Sequence, residues 1–359
     1  MRNGLRGVTT NRWLRTCGLP LGVSDVALIQ NGDHHCYSGL ETCGSGWVCP
    51  VCSAKIRFRR ADEISRAIAR AIEMGYGAVF VTRTIPHTAE DELRTTLGYL
   101  TEGRRWAGRH RSVKQAREEA GFLGCITAKE ITRGNNGWHP HTHDVEVFRE
   151  PVTPTAYGKL SREYFDKLNS SYVRKGHKPM VKGIGVKLDI ITQDSDALGR
   201  YLVKLQETGV GLGNEMARGD LKKGRKGSLM PFDIAAYFLR TGDVAGLKLW
   251  HEYERETKGK SVIRFSPGLR GLLLPDEAEA SDEDLAAADG EAGVEVGRLA
   301  NWLYRRVVAL GLEAAVLRSL DTGGFGALTE LLTAYHLDTA GLYGPAQEIN
   351  PGGVDNNVD

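Results

Sequence analysis

Residues 122–148 constrain this chain more than any other stretch. FLGCITAKEIT (122–132) reads as one strand, GNNG (134–137) as a tight turn, and WHPHTHDVEVF (138–148) as the returning strand. Asn and Gly between two β-patterned runs signal an antiparallel hairpin. An isolated hairpin is marginal in water, so other elements must cover it. AVFVTRTI (78–85), stopped by Pro86, and VKGIGVKLDIIT (181–192) have the pattern of further strands. Between them lie helical stretches. Residues 54–74 carry Ile56, Ile64, Ile68 and Ile72 at helical spacing and stop at Gly75; 89–119, 153–176, 231–240 and 242–257 also read as helices. Helices interspersed with antiparallel strands give an α+β fold.

The returning strand holds His139, His141 and His143. Alternate residues of a strand point to one face, so two of these imidazoles can converge on one ion. Across the turn, the paired strand offers Glu130. Two imidazoles and a carboxylate suit a divalent metal and leave positions open for a substrate oxygen. The rival readings are a polar strand with incidental histidines and a purely structural ion. A second feature is DSDALGRYLVKLQE, where Tyr201 and Lys204 are three residues apart and share a helix face. A phenol near a cation and a divalent metal ionises more easily and can attack a phosphodiester. A tyrosine there is also an ordinary packing residue, with Leu198, Leu202 and Leu205 close by.

Cys36, Cys43, Cys49 and Cys52 fall within 17 positions, ending in a CPVC run. Four thiolates at such spacing close a tetrahedral structural zinc site, with His34 or His35 as substitutes for Cys36. Cys17 and Cys125 stand apart and read as buried or incidental thiols. Arg57, Arg59 and Arg60 follow the cluster and suggest a basic helix against DNA.

The net charge of +2 conceals an asymmetry. Asp276 to Asp359 holds 16 acidic and 4 basic residues, a net of −12; the preceding residues hold 43 basic and 29 acidic, a net of +14. So basic a body suggests a polyanionic partner, nucleic acid first. Arg104, Arg105, Lys222 and Lys223 are expected phosphate contacts, and Trp106 and Trp138 expected stacking residues. No stretch has the length and apolarity of a membrane span, and Arg12 and Arg15 interrupt any signal-peptide core, so the expectation is a soluble cytoplasmic protein. The expected organisation is an arm (1–30), a zinc-binding module with its basic helix (31–75), a main domain (76–275), an acidic disordered linker (276–293), a small helical region (294–343) and a frayed tail (344–359).

HPHTHDVEV resembles the histidine motif of HUH endonucleases. More closely, the chain resembles rolling-circle plasmid replication initiators of the single-catalytic-tyrosine class. VFVTRTIPH (79–87), AKEIT…GWHPHTH (128–143), RYLVKLQE (200–207) and WHEYERETKGKSVIRFSPGLR (250–270) carry the resemblance in order, over about residues 30–272. It implies a ferredoxin-like HUH core with a central antiparallel sheet, preceded by a zinc-binding module and followed by a helical region. It implies Mg or Mn on His141 and His143, with Glu130 as third ligand and His139 as the alternative. Tyr201 would be the nucleophile of site- and strand-specific nicking, forming a 5′-phosphotyrosine, and Lys204 would steady the phosphate. The freed 3′ hydroxyl would prime synthesis, and strand transfer would end it. The partners implied are double- and single-stranded plasmid origin DNA, with a host helicase or polymerase. Two positions depart from the family. Thr142 replaces a bulky apolar residue, and Ala197 stands where relatives place a Glu that activates water, leaving Asp196 as the nearest base. The alternatives are an HUH relaxase or transposase, with the same chemistry, and a non-enzymatic zinc-containing DNA-binding regulator.

Overall fold

The computed structural model describes residues 1–191, 228–288 and 293–344. Two short helices, α1 (Arg2–Arg6) and α2 (Arg12–Thr16), precede a hairpin of β1 (Asp25–Asn31) and β2 (His34–Ser38). The long helix α3 (Pro50–Glu73) starts with Cys49 as N-cap and Pro50 in its first turn, where a missing N–H costs nothing. Next come β3 (Gly77–Thr84), α4 (Leu93–Arg109), α5 (Arg111–Glu119), β4 (Phe122–Gly134), β5 (Gly137–Phe148), α6 (Pro154–Val173) and β6 (Val186–Ile191). The single helix expected over 89–119 is two, because His110 is extended (φ −65°, ψ 139°) and caps α5 through its own side chain. After the undescribed stretch follow α7 (Pro231–Thr241), α8 (Val244–Thr257), β7 (Ile263–Phe265), α9 (Leu269–Leu273) and α10 (Asp282–Ala287). The chain closes with β8 (Val294–Ala300), α11 (Asn301–Ala309), α12 (Glu313–Ala334) and β9 (Leu342–Tyr343). The fold is α+β with antiparallel sheets. Among the described residues no helix is long and apolar enough to cross a membrane.

The chain divides into two compact units, Gly44–Leu285 with the first two residues, and Asn3–Cys43 with everything from Ala286 on. The larger unit is built on a five-stranded sheet in the order β6-β3-β5-β4-β7, antiparallel at every step. Helices α4, α5 and α6 cover one face, burying Val79, Val81, Leu100, Val113, Phe148, Leu160, Leu168 and Leu188. The β4–β5 hairpin is the expected one, with Gly134 paired to Gly137. Gly137 takes φ +85°, and a Cβ there would sit 2.6 Å from the Thr88 carbonyl, so only glycine closes this turn without strain.

In the smaller unit, β1 lies between β2 and β8, and β8 pairs onward with β9. Val26 and Leu28 from the N-terminal segment share one core with Leu299, Leu303, Tyr304, Val307, Leu320 and Leu332. Residues 3–43 are therefore half of a domain rather than a loose arm, and 294–300 is a strand rather than part of a helical region. The acidic stretch also departs from expectation. Within the larger unit its carboxylates are counter-ions of helix α3: Arg60 meets Asp282 at 2.9 Å and Arg66 meets Glu277 at 2.9 Å. Arg270 adds hydrogen bonds to the carbonyls of Glu277 and Ala278 at 2.8 and 2.9 Å. Composition favours disorder only when the charges lack partners, and here the basic side of α3 supplies them.

Candidate metal centre

Register brings the first three site residues together. Glu130 on β4 is the Cα partner of His141 on β5, and His143 lies two residues further along the same face. Glu130 Oε2 is 2.8 Å from His141 Nε2 and 3.1 Å from His143 Nε2. The three donor atoms all fall within 4.8 Å of one another. The ring of His143 is fixed from two sides. Phe80 stacks on it (centroids 5.4 Å apart, planes at 11°), and Thr82 Oγ1 is 3.2 Å from its Nδ1. A partner on one imidazole nitrogen sets the tautomer and aims the other, as ligand histidines need. Two nitrogens and a carboxylate oxygen, mostly buried and converging, fit a divalent cation with open positions. His141 Nδ1 is buried without a hydrogen bond among the described residues, so this ring is held by packing and by Glu130.

His139 shares the strand face but not the cluster. Its Nδ1 is 3.0 Å from His87 Nε2, and its Nε2 is 3.4 Å from Thr84 Oγ1. Burial, then the neighbouring His141 and His87, bring its pKa down to about 4, so the ring is neutral over the working range. The structure thus groups Glu130 with His141 and His143, and sets His139 with His87. Sequence reasoning did not single out His87, though it closes the VFVTRTIPH segment just beyond the third strand. No periodicity says that a residue after Pro86 folds back onto β5.

The other face of β5 carries Asp144 and Glu146, both fully buried. Arg83 on β3 reaches both, with Nη2 2.9 Å from Glu146. Arg104 from α4 binds Asp144, with Nε at 3.1 Å, and Arg117 from α5 binds Glu146 at 2.7 Å. Tyr164 from α6 donates to Glu146. Burial pushes both carboxyls up, yet Arg104 and Arg83 hold Asp144 below its ordinary value, and Arg117 and Arg83 do the same for Glu146. The strand that presents the histidines on one side is thus locked by ion pairs on the other.

Comparison with known proteins decides the family. The chain is 31% identical to "Protein rep" of Streptomyces lividans over 319 residues, covering 71% of this chain and 69% of that protein. The chain belongs to the plasmid Rep proteins. A second relative, "Neomycin resistance protein" of Streptomyces cyanogenus, is 34% identical over 132 residues, about 30% of each chain. No family model and no solved structure matches.

In this Rep protein Tyr201, Lys204, Asp196, Lys222 and Lys223 lie outside the described residues. The other expected DNA contacts are placed and mostly engaged. Arg57 is buried, with its guanidinium over the Trp47 ring and 3.1 Å from Ser53 Oγ. Arg59 donates to the Leu285 carbonyl, and Arg60 is paired with Glu63 at 2.7 Å as well as with Asp282. These three brace the unit that contains them instead of presenting a free basic face. Arg104 is tied to Asp144, whereas Arg105, next to it on α4, is exposed. Trp138 is 2% exposed and donates to Glu252 at 2.8 Å, so it packs in the core and offers no face for a base. Trp106 is half-buried, with Arg174 stacked 5.0 Å above it.

The thiols also regroup. Cys49 accepts from the Cys52 amide at 3.4 Å at the start of α3, so the CPVC pair sits on a helix N-terminus, where thiolates are favoured. In the smaller unit the sulfur within 4.8 Å of Cys43 is that of Cys17, whereas Cys36 lies on β2 opposite Ile29. The separation of Cys17 from the cluster in sequence concealed this. Helix α2 ends at Thr16, and a hydrogen bond of 2.6 Å from the Gly18 amide to the Glu41 carbonyl draws the following turn onto the loop that leads to Cys43.

Proposed function

We propose that this Rep protein initiates rolling-circle plasmid replication by metal-dependent, site- and strand-specific nicking of origin DNA. The observation that carries the reading is the convergence of Glu130, His141 and His143 from two paired strands onto one point. A divalent ion, Mg or Mn, would be held there and would draw negative charge from the non-bridging oxygens of the scissile phosphate. Thr82 and Phe80 hold the His143 ring so that its Nε2 faces that point. Tyr201 is the nucleophile: its phenolic oxygen bonds to phosphorus, the bond to the 3′ oxygen breaks, and the 5′ phosphate stays on the protein. The released 3′ hydroxyl primes synthesis. Lys204 steadies the phosphate, and Asp196 serves as base at termination, where strand transfer closes the product. Arg105, Lys222 and Lys223 contact the strand through its phosphates, and a host helicase or polymerase extends the fork.

We also propose a structural zinc held by thiolates of the cysteine cluster, in which Cys17, beside Cys43, takes the place expected of Cys36. The support is the thiol pairing within each unit.

The direct test incubates the full chain with a supercoiled plasmid bearing its own origin and Mn or Mg. The expected result is a nicked circle with protein covalently on the 5′ end. Tyr201→Phe should abolish the adduct, and His143→Ala should abolish nicking while leaving origin binding. Undiminished adduct formation by Tyr201→Phe would move the nucleophile elsewhere.

A further inference from the structure

On the helix-covered side of the sheet, away from the histidines, the larger unit has a cavity of about 240 Å³. It is lined by Arg83, Arg104, Arg117 and Tyr164, which are buried or half-buried, and by Arg105 and Arg109, which are exposed. No acidic side chain lines it, because Asp144 and Glu146 lie beneath the guanidiniums. The charge does not balance. Three guanidiniums that are 5–29% exposed face two fully buried carboxylates, which leaves one positive charge in excess. A buried excess charge is costly unless an ion of opposite sign shares it. The exposed arginines add to the imbalance. Among the described residues neither Arg105 nor Arg109 has an ion pair, and the nearby Glu102 is already held by Lys175. Five guanidiniums lining a space of this size, two of them without an ion pair among the described residues, suit a tetrahedral oxyanion, since guanidinium binds phosphate oxygens in pairs.

We propose that this arginine-lined cavity binds a phosphate group, either of a free phosphate or diphosphate or of a nucleic-acid backbone. The cavity opens on the opposite side of the sheet from Glu130, His141 and His143, so it is separate from the proposed scissile phosphate and does not depend on the nicking reading. Ligand entry would couple α4 and α5 to Asp144 and Glu146, and through them to the strand that carries the histidines.

The test uses the full chain and pyrophosphate, followed by calorimetry and by the thermal unfolding midpoint against sodium chloride of equal ionic strength. Pyrophosphate is expected to bind and raise the midpoint. Arg105→Gln/Arg109→Gln, both exposed, should weaken binding about tenfold or more, the loss of charge-assisted hydrogen bonds. Glu130→Gln should bind as the parent does, and so should the charge-matched surface control Arg149→Gln/Arg162→Gln. A short single-stranded oligonucleotide that displaces pyrophosphate identifies the ligand as backbone phosphate; one that binds without displacing it identifies a free anion. No stabilisation beyond that of chloride, or equal weakening in the surface control, overturns the proposal while leaving the nicking assay unaffected.

Discussion

At the residue scale, the candidate centre depends on how each donor is aimed. His143 is set by Thr82 and Phe80, so losing the hydroxyl should loosen the tautomer without changing the ligand set. Thr82→Val is expected to lower Mn affinity about tenfold or more, the usual cost of losing a partner that orients a ligand, as read by Mn electron paramagnetic resonance. A fold that stays intact by circular dichroism with unchanged Mn affinity would remove Thr82 from the site. The thiols give an equally local prediction. Cys17→Ser should reduce the zinc recovered with the purified chain, while Cys36→Ser should retain it, measured by atomic emission. The reverse result would restore the cluster that sequence spacing suggests. That spacing made Glu130, His141 and His143 legible, because a two-residue period and a tight turn determine which side chains face each other. It did not reveal Cys17 or His87, whose neighbours are set by chain reversal rather than by period.

At the scale of elements, the β4–β5 hairpin carries the chemistry and the helices α4–α6 hold it in place. Gly137→Ala forces a side chain into a left-handed turn beside the Thr88 carbonyl and should cost about 1–2 kcal/mol in chemical denaturation. Glu146→Gln removes one anion from beneath three guanidiniums and should cost about 3–5 kcal/mol, as breaking a buried pair does. The pH dependence follows from the same pairs. Asp144 and Glu146 titrate below their ordinary values when folded. Their contribution is complete above the unfolded values near about 4 and is lost as pH falls through the folded ones. Stability should therefore drop as the medium is acidified below about pH 4, and the drop should be shallower in Glu146→Gln. Equal slopes in the two proteins would assign acid unfolding to other carboxylates. Nearly all these strands and helices are readable from hydrophobic period and turn residues, whereas the break at His110 is a matter of one backbone angle.

At the scale of the whole molecule, two units each bury their own core, and one of them is assembled from both ends of the chain. Truncation after Leu285 should therefore expose Val26 and Leu28, which lose Leu299, Leu303 and Tyr304 as cover. The β1 amides should then exchange with solvent far faster, by hydrogen–deuterium exchange, while the amides of β3 and β5 stay protected. Protection of β1 in the truncated chain would show that β2 alone sustains it. By itself the sequence determined the histidine hairpin, the alternation that brings His141 and His143 to one face, the longer helices of the larger unit and the charge asymmetry, which local period, turn residues and composition carry. Only the tertiary structure decided that 3–43 folds with the C-terminal segment, that Cys17 stands beside Cys43, that acidic residues after Asp276 neutralise α3, and that five arginines surround one cavity. Those outcomes join residues tens to hundreds of positions apart, where the energy lies in burial and charge pairing across space and leaves no local period to read.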